Sequence, residues 1–189
     1  MMSKISQLVI VHGFLSTPRH HWFNWLKARF ERQGIAVFLP RLPNPRMPML
    51  ADWLATLKQT LPCPDENTWF IGHSLGCITL LHYLDSLTAH HKVGGTILVS
   101  GFSEPLPKLP QLDTFTRHVP CFSDLKAVIQ QRIALLSLND QVVPPHMTLQ
   151  LSRQLSAELY SFADCGHFLG CDGFTRFPAL DLILHDALK

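Results

Sequence analysis

Gly72-His73-Ser74-Leu75-Gly76 sets a serine between two glycines, the spacing of a nucleophile held on a sharp strand-to-helix turn. A serine hydroxyl attacks poorly until a base takes its proton, so the chain must also supply an imidazole and a group to orient it. Eleven histidines compete for the first role. Position selects His167, in Asp164-Cys165-Gly166-His167-Phe168, beyond the last expected strand and ahead of the last helix. Asp140, after Ser137-Leu138-Asn139, is the carboxylate nearest the end of the penultimate strand. Buried there, it can accept the imidazole Nδ1–H, fix the tautomer and stabilise the imidazolium. Asp164 and Asp172 are rivals, but each lies too close in sequence to His167 for the order serine, acid, histidine. His73 adjoins the serine, yet its side chain is expected to point away. His12, His118, His146 and His185 are read as structural or solvated. The plainer alternatives are a helix-capping role for Ser74, a solvated turn for Asp140 and a structural role for His167.

A tetrahedral intermediate needs two N–H donors. One is expected from Leu75, directly after the nucleophile. The other is expected from the loop after the first strand, His12-Gly13-Phe14, with Phe14 as donor and Gly13 allowing the close turn. The alternative is an ordinary strand-end turn. Phe14, Trp22, Phe102, Phe115, Phe122 and Phe168 lie near expected loop ends. Core packing is the competing role for each of them. His12, Gly13, Phe102, Phe115 and Phe168 are taken as the substrate-binding set.

These residues must be carried by elements that converge. Short apolar runs, expected as buried strands, occur at Leu8–Val11, Ile35–Leu39, Thr68–Ile71, Thr96–Val99, Ile133–Leu136 and Leu159–Phe162. Between them, apolar residues recur at helical spacing around Trp22–Phe30, Leu50–Leu61, Cys77–Leu87, His146–Leu155 and Pro178–Leu188, with Pro178 suited to a first turn. Alternation of this kind calls for a parallel sheet covered on both faces. The expected fold is a compact α/β-hydrolase of about six mostly parallel strands, residues 1–189 forming one domain without a separate lid. Gly101 to Asp124, with Pro105, Pro107, Pro110 and Pro120, is expected to be an irregular roof over the pocket. Arg41 to Pro48, with three prolines, is a second irregular loop.

Composition narrows the function classes. The 189 residues are 47% hydrophobic and 16% charged, with a net charge of +2. This describes a globular chain with a large core and no Lys/Arg run for nucleic acid. Five scattered cysteines, none in C-x-x-C spacing, are read as reduced thiols. Met1 to Ser6 leads into a strand without the apolar stretch of a signal peptide, and nothing reaches transmembrane length. A cytoplasmic protein is expected, with no cofactor, no metal, no membrane partner and a small-molecule substrate.

The motifs together resemble the retinoblastoma-binding protein nine family of small serine hydrolases, a compact branch of the α/β hydrolases. The resemblance spans nearly the whole chain. It rests on Gly72–Gly76, Trp22 with Trp25, Leu39-Pro40 with Asn44-Pro45, Trp53, Leu98-Val99-Ser100, Phe115-Thr116-Arg117, Asn139-Asp140 and Asp164–Phe168. It implies Ser74, Asp140 and His167 as a triad. The first loop departs from it: His12-Gly13-Phe14 stands where some members carry Pro-Gly and further small or polar residues. The stretch Leu61-Pro62-Cys63-Pro64-Asp65 is read as a loop before the third strand. The expected reaction is hydrolysis of small, hydrophobic esters or amides through an acyl-enzyme. A thioesterase or acyltransferase would use the same three residues, and a non-catalytic interaction module of this fold is the alternative from another class.

Overall fold

Side chains of a strand alternate between two faces. In Gln7–Val11 (β1) both sets are apolar: Val9 and Val11 enter one buried cluster, Leu8 and Ile10 another. Such a strand requires helices on both sides. The structure, a computed structural model, describes residues 5–87 and 91–187. The other strands are Ala36–Phe38 (β2), Thr68–His73 (β3), Val93–Val99 (β4), Ile129–Ser137 (β5) and Glu158–Phe162 (β6). They form one sheet in the order β2-β1-β3-β4-β5-β6, and every pairing is parallel.

Helices Phe23–Glu31 (α1) and Pro178–Ala187 (α6) cover one face. Phe23, Leu26, Phe30, Leu180 and Leu184 pack there with Leu8, Ile10, Ile71 and Ile97. Leu50–Thr60 (α2), Leu75–Asp85 (α3), Phe122–Val128 (α4) and Pro145–Leu155 (α5) cover the other. Trp53, Leu57, Leu80, Leu125 and Leu151 meet Val9, Val11, Phe70 and Leu98 on that side. β3 and β4 are buried throughout, whereas the edge strand β6 has no fully buried residue.

The expected elements are all present, with shifted ends. β4 starts at Val93 and β5 at Ile129, earlier than the apolar runs indicate. Pro178 opens α6 as expected, while the expected helix end at Leu188 lies outside the described residues, as do Met1–Lys4 of the N-terminal stretch. The segment from Gly101 to Asp124 is less irregular than expected. It contains a 3-10 turn at Pro110–Phe115 and leads into α4. The loop from Arg41 to Pro48 is irregular as expected but well tethered. The Trp53 Nε1–H donates to the Pro43 carbonyl at 2.7 Å, and the Leu15 N–H donates to the Pro45 carbonyl at 2.9 Å.

All five cysteines are free thiols. Among the described residues no helix is long and apolar enough to cross a membrane. Parallel strands deliver their following loops to one edge of the sheet. The turns after β1, β3, β4, β5 and β6 therefore share that edge.

Candidate active site

Ser74 follows β3 directly and adopts φ 55°, ψ −124°, a left-handed backbone that side chains rarely take. Its neighbours explain how so tight a turn is built. A Cβ at Gly72 would stand 2.7 Å from Cys77 Cα, and one at Gly76 would overlap the Val11 and His12 carbonyl oxygens. The Ser74 N–H donates to the Val99 carbonyl at 2.9 Å, securing the turn to β4. The Ser74 side chain makes no capping bond to α3. Helix capping is therefore not what the hydroxyl does here.

Asp140 and His167, from the loops after β5 and β6, meet at the same edge. The His167 Nδ1–H donates to Asp140 Oδ2 at 2.7 Å, and both residues are buried. Asp140 Oδ1 accepts the N–H groups of Val142 and Val143 at 2.8 and 2.9 Å, and the Ser100 hydroxyl donates to Oδ2 at 2.8 Å. Burial alone would raise the Asp140 carboxyl. The His167 hydrogen bond and charge, the Val143 N–H and the Ser100 hydroxyl outweigh it and hold the group below the usual aspartate value. Asp140 therefore stays ionised and keeps the proton of His167 on Nδ1, leaving Nε2 free to act as a base. No hydrogen bond joins Ser74 to His167, but both line one cavity of about 280 Å³.

The rival aspartates have other tasks. Asp172 Oδ2 accepts the His167 and Leu169 N–H groups at 2.9 and 3.0 Å, bracing the turn that presents the imidazole. Asp164 accepts a bond from the Asn139 amide. Asn139 in turn links two loops: its Oδ1 accepts the Cys165 and Gly166 N–H groups at 3.1 and 2.8 Å and the Ser137 hydroxyl at 2.7 Å. Sequence reading assigned no role to Asn139 or Ser100. Their signals are a polar side chain directly beside a strand end and a place in the motifs Leu98-Val99-Ser100 and Asn139-Asp140.

Phe14 and Leu75, the residues expected to supply oxyanion donors, flank the nucleophile turn: Phe14 lines the cavity with Ser74, and Leu75 follows Ser74 directly. Neither N–H has an acceptor among the described residues. Gly13 allows the approach, since a Cβ there would lie 2.9 Å from the His73 carbonyl and 3.0 Å from Ser74 Cβ.

The expected substrate-binding set fares differently. Phe102, Phe115 and Phe168 are at most 1% exposed and belong to the two core clusters, as does Trp22. Phe122 packs against the core from its edge. His12 is fully buried: Nε2 accepts the Leu42 N–H at 3.2 Å and Nδ1–H donates to the Gly13 carbonyl at 3.0 Å. Its ring holds the Arg41–Pro48 loop against the first turn. Gly13 touches Ser74 but is not part of the cavity wall. The wall is built from Phe14, Leu15, Leu109, Leu112, Val142 and Leu169, with His21, Ser74 and His167. Leu109 and Leu112 come from the segment expected to roof the pocket.

His73 points away from Ser74, as expected, and its Nε2–H donates to the His167 carbonyl at 2.9 Å. His12, His21 and His73 all have lowered pKa values. Burial is the leading cause for each, reinforced by neighbouring imidazoles; His21 falls to about 4 and His73 lies well below its ordinary value. These rings are neutral in the folded chain, whereas in the unfolded chain they take up protons near pH 6.5. Unfolding therefore binds protons below that pH, and stability is lost as pH falls from about 6.5 towards the His21 value of about 4. Thermal melts should show a midpoint that is level above neutrality and declines steeply through this window. A level profile across it would contradict the assignment.

Comparison with known proteins identifies the family and the fold. The profile of the family described as Serine hydrolase matches residues 8–186. YdeN of Bacillus subtilis (strain 168) is 38% identical over 182 residues, covering 96% of this chain and 94% of that protein. The crystal structure of the ydeN gene product superposes with a TM-score of 0.93 at 37% identity, covering 96% of this chain and 98% of that one. Serine hydrolase RBBP9 of Rattus norvegicus is 28% identical over 171 residues, covering 88% and 89%. MGS-MChE2, an α/β hydrolase from a lagoon-sediment metagenome, shares the fold with a TM-score of 0.71 at 19% identity, covering 97% and 90%. A profile match over nearly the full length and a relative of this identity make the chain a member of the serine hydrolase family, built on the α/β-hydrolase fold.

Proposed function

We propose that this protein hydrolyses small esters or amides with an apolar acyl group, through an acyl-enzyme on Ser74. The observation that carries the reading is the bond between Asp140 and His167, whose ring lines one largely apolar cavity together with Ser74. His167 Nε2 takes the Ser74 proton as the hydroxyl attacks the carbonyl carbon. The N–H groups of Phe14 and Leu75 receive the oxyanion. His167 then protonates the leaving alcohol or amine, and a water molecule, deprotonated by the same imidazole, releases the acid. Six apolar residues in the wall and a volume near the lower limit for ligand cavities favour compact, hydrophobic substrates.

Labelling with a fluorophosphonate probe tests the nucleophile. The native protein should react, and the adduct should map to Ser74. No labelling, or equal labelling of Ser74→Ala, would refute the reading.

His73 acts as a positioning residue, because its bond to the His167 carbonyl holds the backbone that carries the base. His73→Phe removes the donor and leaves that carbonyl unpaired. A loss of roughly ten- to a hundredfold in kcat is expected, with KM little changed. His73→Gln, which retains an N–H donor, should recover most of it. A lower melting temperature with an unchanged kcat per folded molecule would mean that His73 serves the fold alone.

A further inference from the structure

The cavity wall contains three polar side chains, and the mechanism uses two of them. The third is His21. The Gly170 N–H donates to His21 Nδ1 at 2.9 Å. A backbone amide can only donate, so Nδ1 is an acceptor and the neutral ring carries its proton on Nε2. That Nε2–H has no acceptor among the described residues.

The ring is held in place on several sides. It meets Phe23 and His73 edge-on at 5.4 and 5.6 Å between centroids. Its backbone lies in the left-handed region, at φ 54°. This conformation is uncommon outside glycine and is found at binding sites where the surroundings enforce it. Burial, His20 and His167 lower its pKa to about 4, so the ring is an uncharged donor at neutral pH.

Its position indicates which part of a substrate it faces. Gly170 follows the base by three residues, and the His73 ring that touches His21 also lies 5.0 Å from the His167 ring. His21 thus stands on the His167 side of the cavity, where the leaving group must be to receive its proton. We propose that His21 is a specificity-determining residue that donates its Nε2–H to an acceptor oxygen in the leaving group of the substrate. The inference rests on the acyl-enzyme reading above. In a wall that is apolar apart from the catalytic pair and this ring, a leaving group without an acceptor would strand this donor away from water, whereas one with an ether, carbonyl or carboxylate oxygen satisfies it.

Matched esters test this. The 2-methoxyethyl and n-butyl esters of butyric acid have leaving groups of nearly equal size, and only the first carries an acceptor beyond the scissile oxygen. Their inherent difference in reactivity is common to all variants and divides out when the kcat/KM ratio is compared between them. His21→Phe keeps an aromatic ring but no donor, and should lower that ratio about tenfold relative to the native protein. His21→Asn should retain the native ratio, because its carbonyl can take the Gly170 N–H while its amide donates to the substrate. Asparagine also tolerates a left-handed backbone. If His21→Phe does not fold, His21→Gly, which suits that backbone and likewise lacks the donor, must show the same loss. A ratio unchanged in the donor-free variants, or both esters slowed equally, would overturn the assignment and leave His21 a structural role. Loss of the native ratio in His21→Asn would overturn it too. Failure of the native protein to cleave either ester, together with absent fluorophosphonate labelling, would instead bring down the acyl-enzyme reading and this inference with it.

Discussion

Ser74→Ala should lose activated-ester hydrolysis by roughly a millionfold in kcat, the scale seen when subtilisin loses its nucleophile. The fold should survive the change. The Ser74 side chain makes no capping bond to α3, and the substitution alters neither the turn glycines nor the Ser74 N–H bond to Val99. A capping serine would cost helix stability on replacement, whereas here the melting temperature should move by less than about 2 °C. The pairing of a large catalytic loss with an unmoved melting curve is the informative result. Activity within tenfold of the native protein would show that another residue attacks the carbonyl.

Asp140→Asn carries the second largest expected effect, and the hydrogen-bond pattern dictates its direction. Oδ1 accepts two backbone N–H groups, from Val142 and Val143, and an asparagine must keep its carbonyl oxygen there. The amide nitrogen then faces His167 Nδ1, where Asp140 Oδ2 stood. A donor in that position obliges Nδ1 to accept, which moves the imidazole proton to Nε2. The base is then occupied by the proton it should be free to take. The corresponding change in serine proteases costs about 10⁴-fold in kcat, and a similar loss is expected here with KM little altered. Because the carboxyl is held below its usual value, Asp140 remains ionised through mildly acidic conditions. The native acid limb of kcat/KM should therefore not report its titration. Near-native kcat in Asp140→Asn would remove Asp140 from the mechanism.

Much of this arrangement was legible in the residues because it rests on strong local signals. Apolar runs marked all six strands, and glycines around Ser74 marked the turn between β3 and α3. The signals failed where tertiary packing overrode them. Gly94 and Gly95 look unlike a strand, yet β4 runs through them; a Cβ at Gly95 would stand 2.6 Å from the Trp69 ring. Gln130, Gln131 and Arg132 hid the start of β5, where the two glutamines are exposed and the arginine half-buried between the buried Ile129 and Ile133. The cavity lining was the least legible part. Nearness to a strand end does not tell which way a side chain turns. Phe168, at φ 56°, turns into the core, while Leu109, Leu112 and Leu169 reach the cavity. His21, Ser100 and Asn139 act across long sequence separations, and no local pattern announces such bonds.

The bracing by Asn139 has a mechanical consequence. One amide side chain stitches the β5 loop to the β6 loop, and the ring of His73, the residue beside Ser74, ties that β6 loop to the nucleophile turn. Loss of the Asn139 amide would therefore free the acid's loop from the base's loop while His73 still held the base beside the hydroxyl.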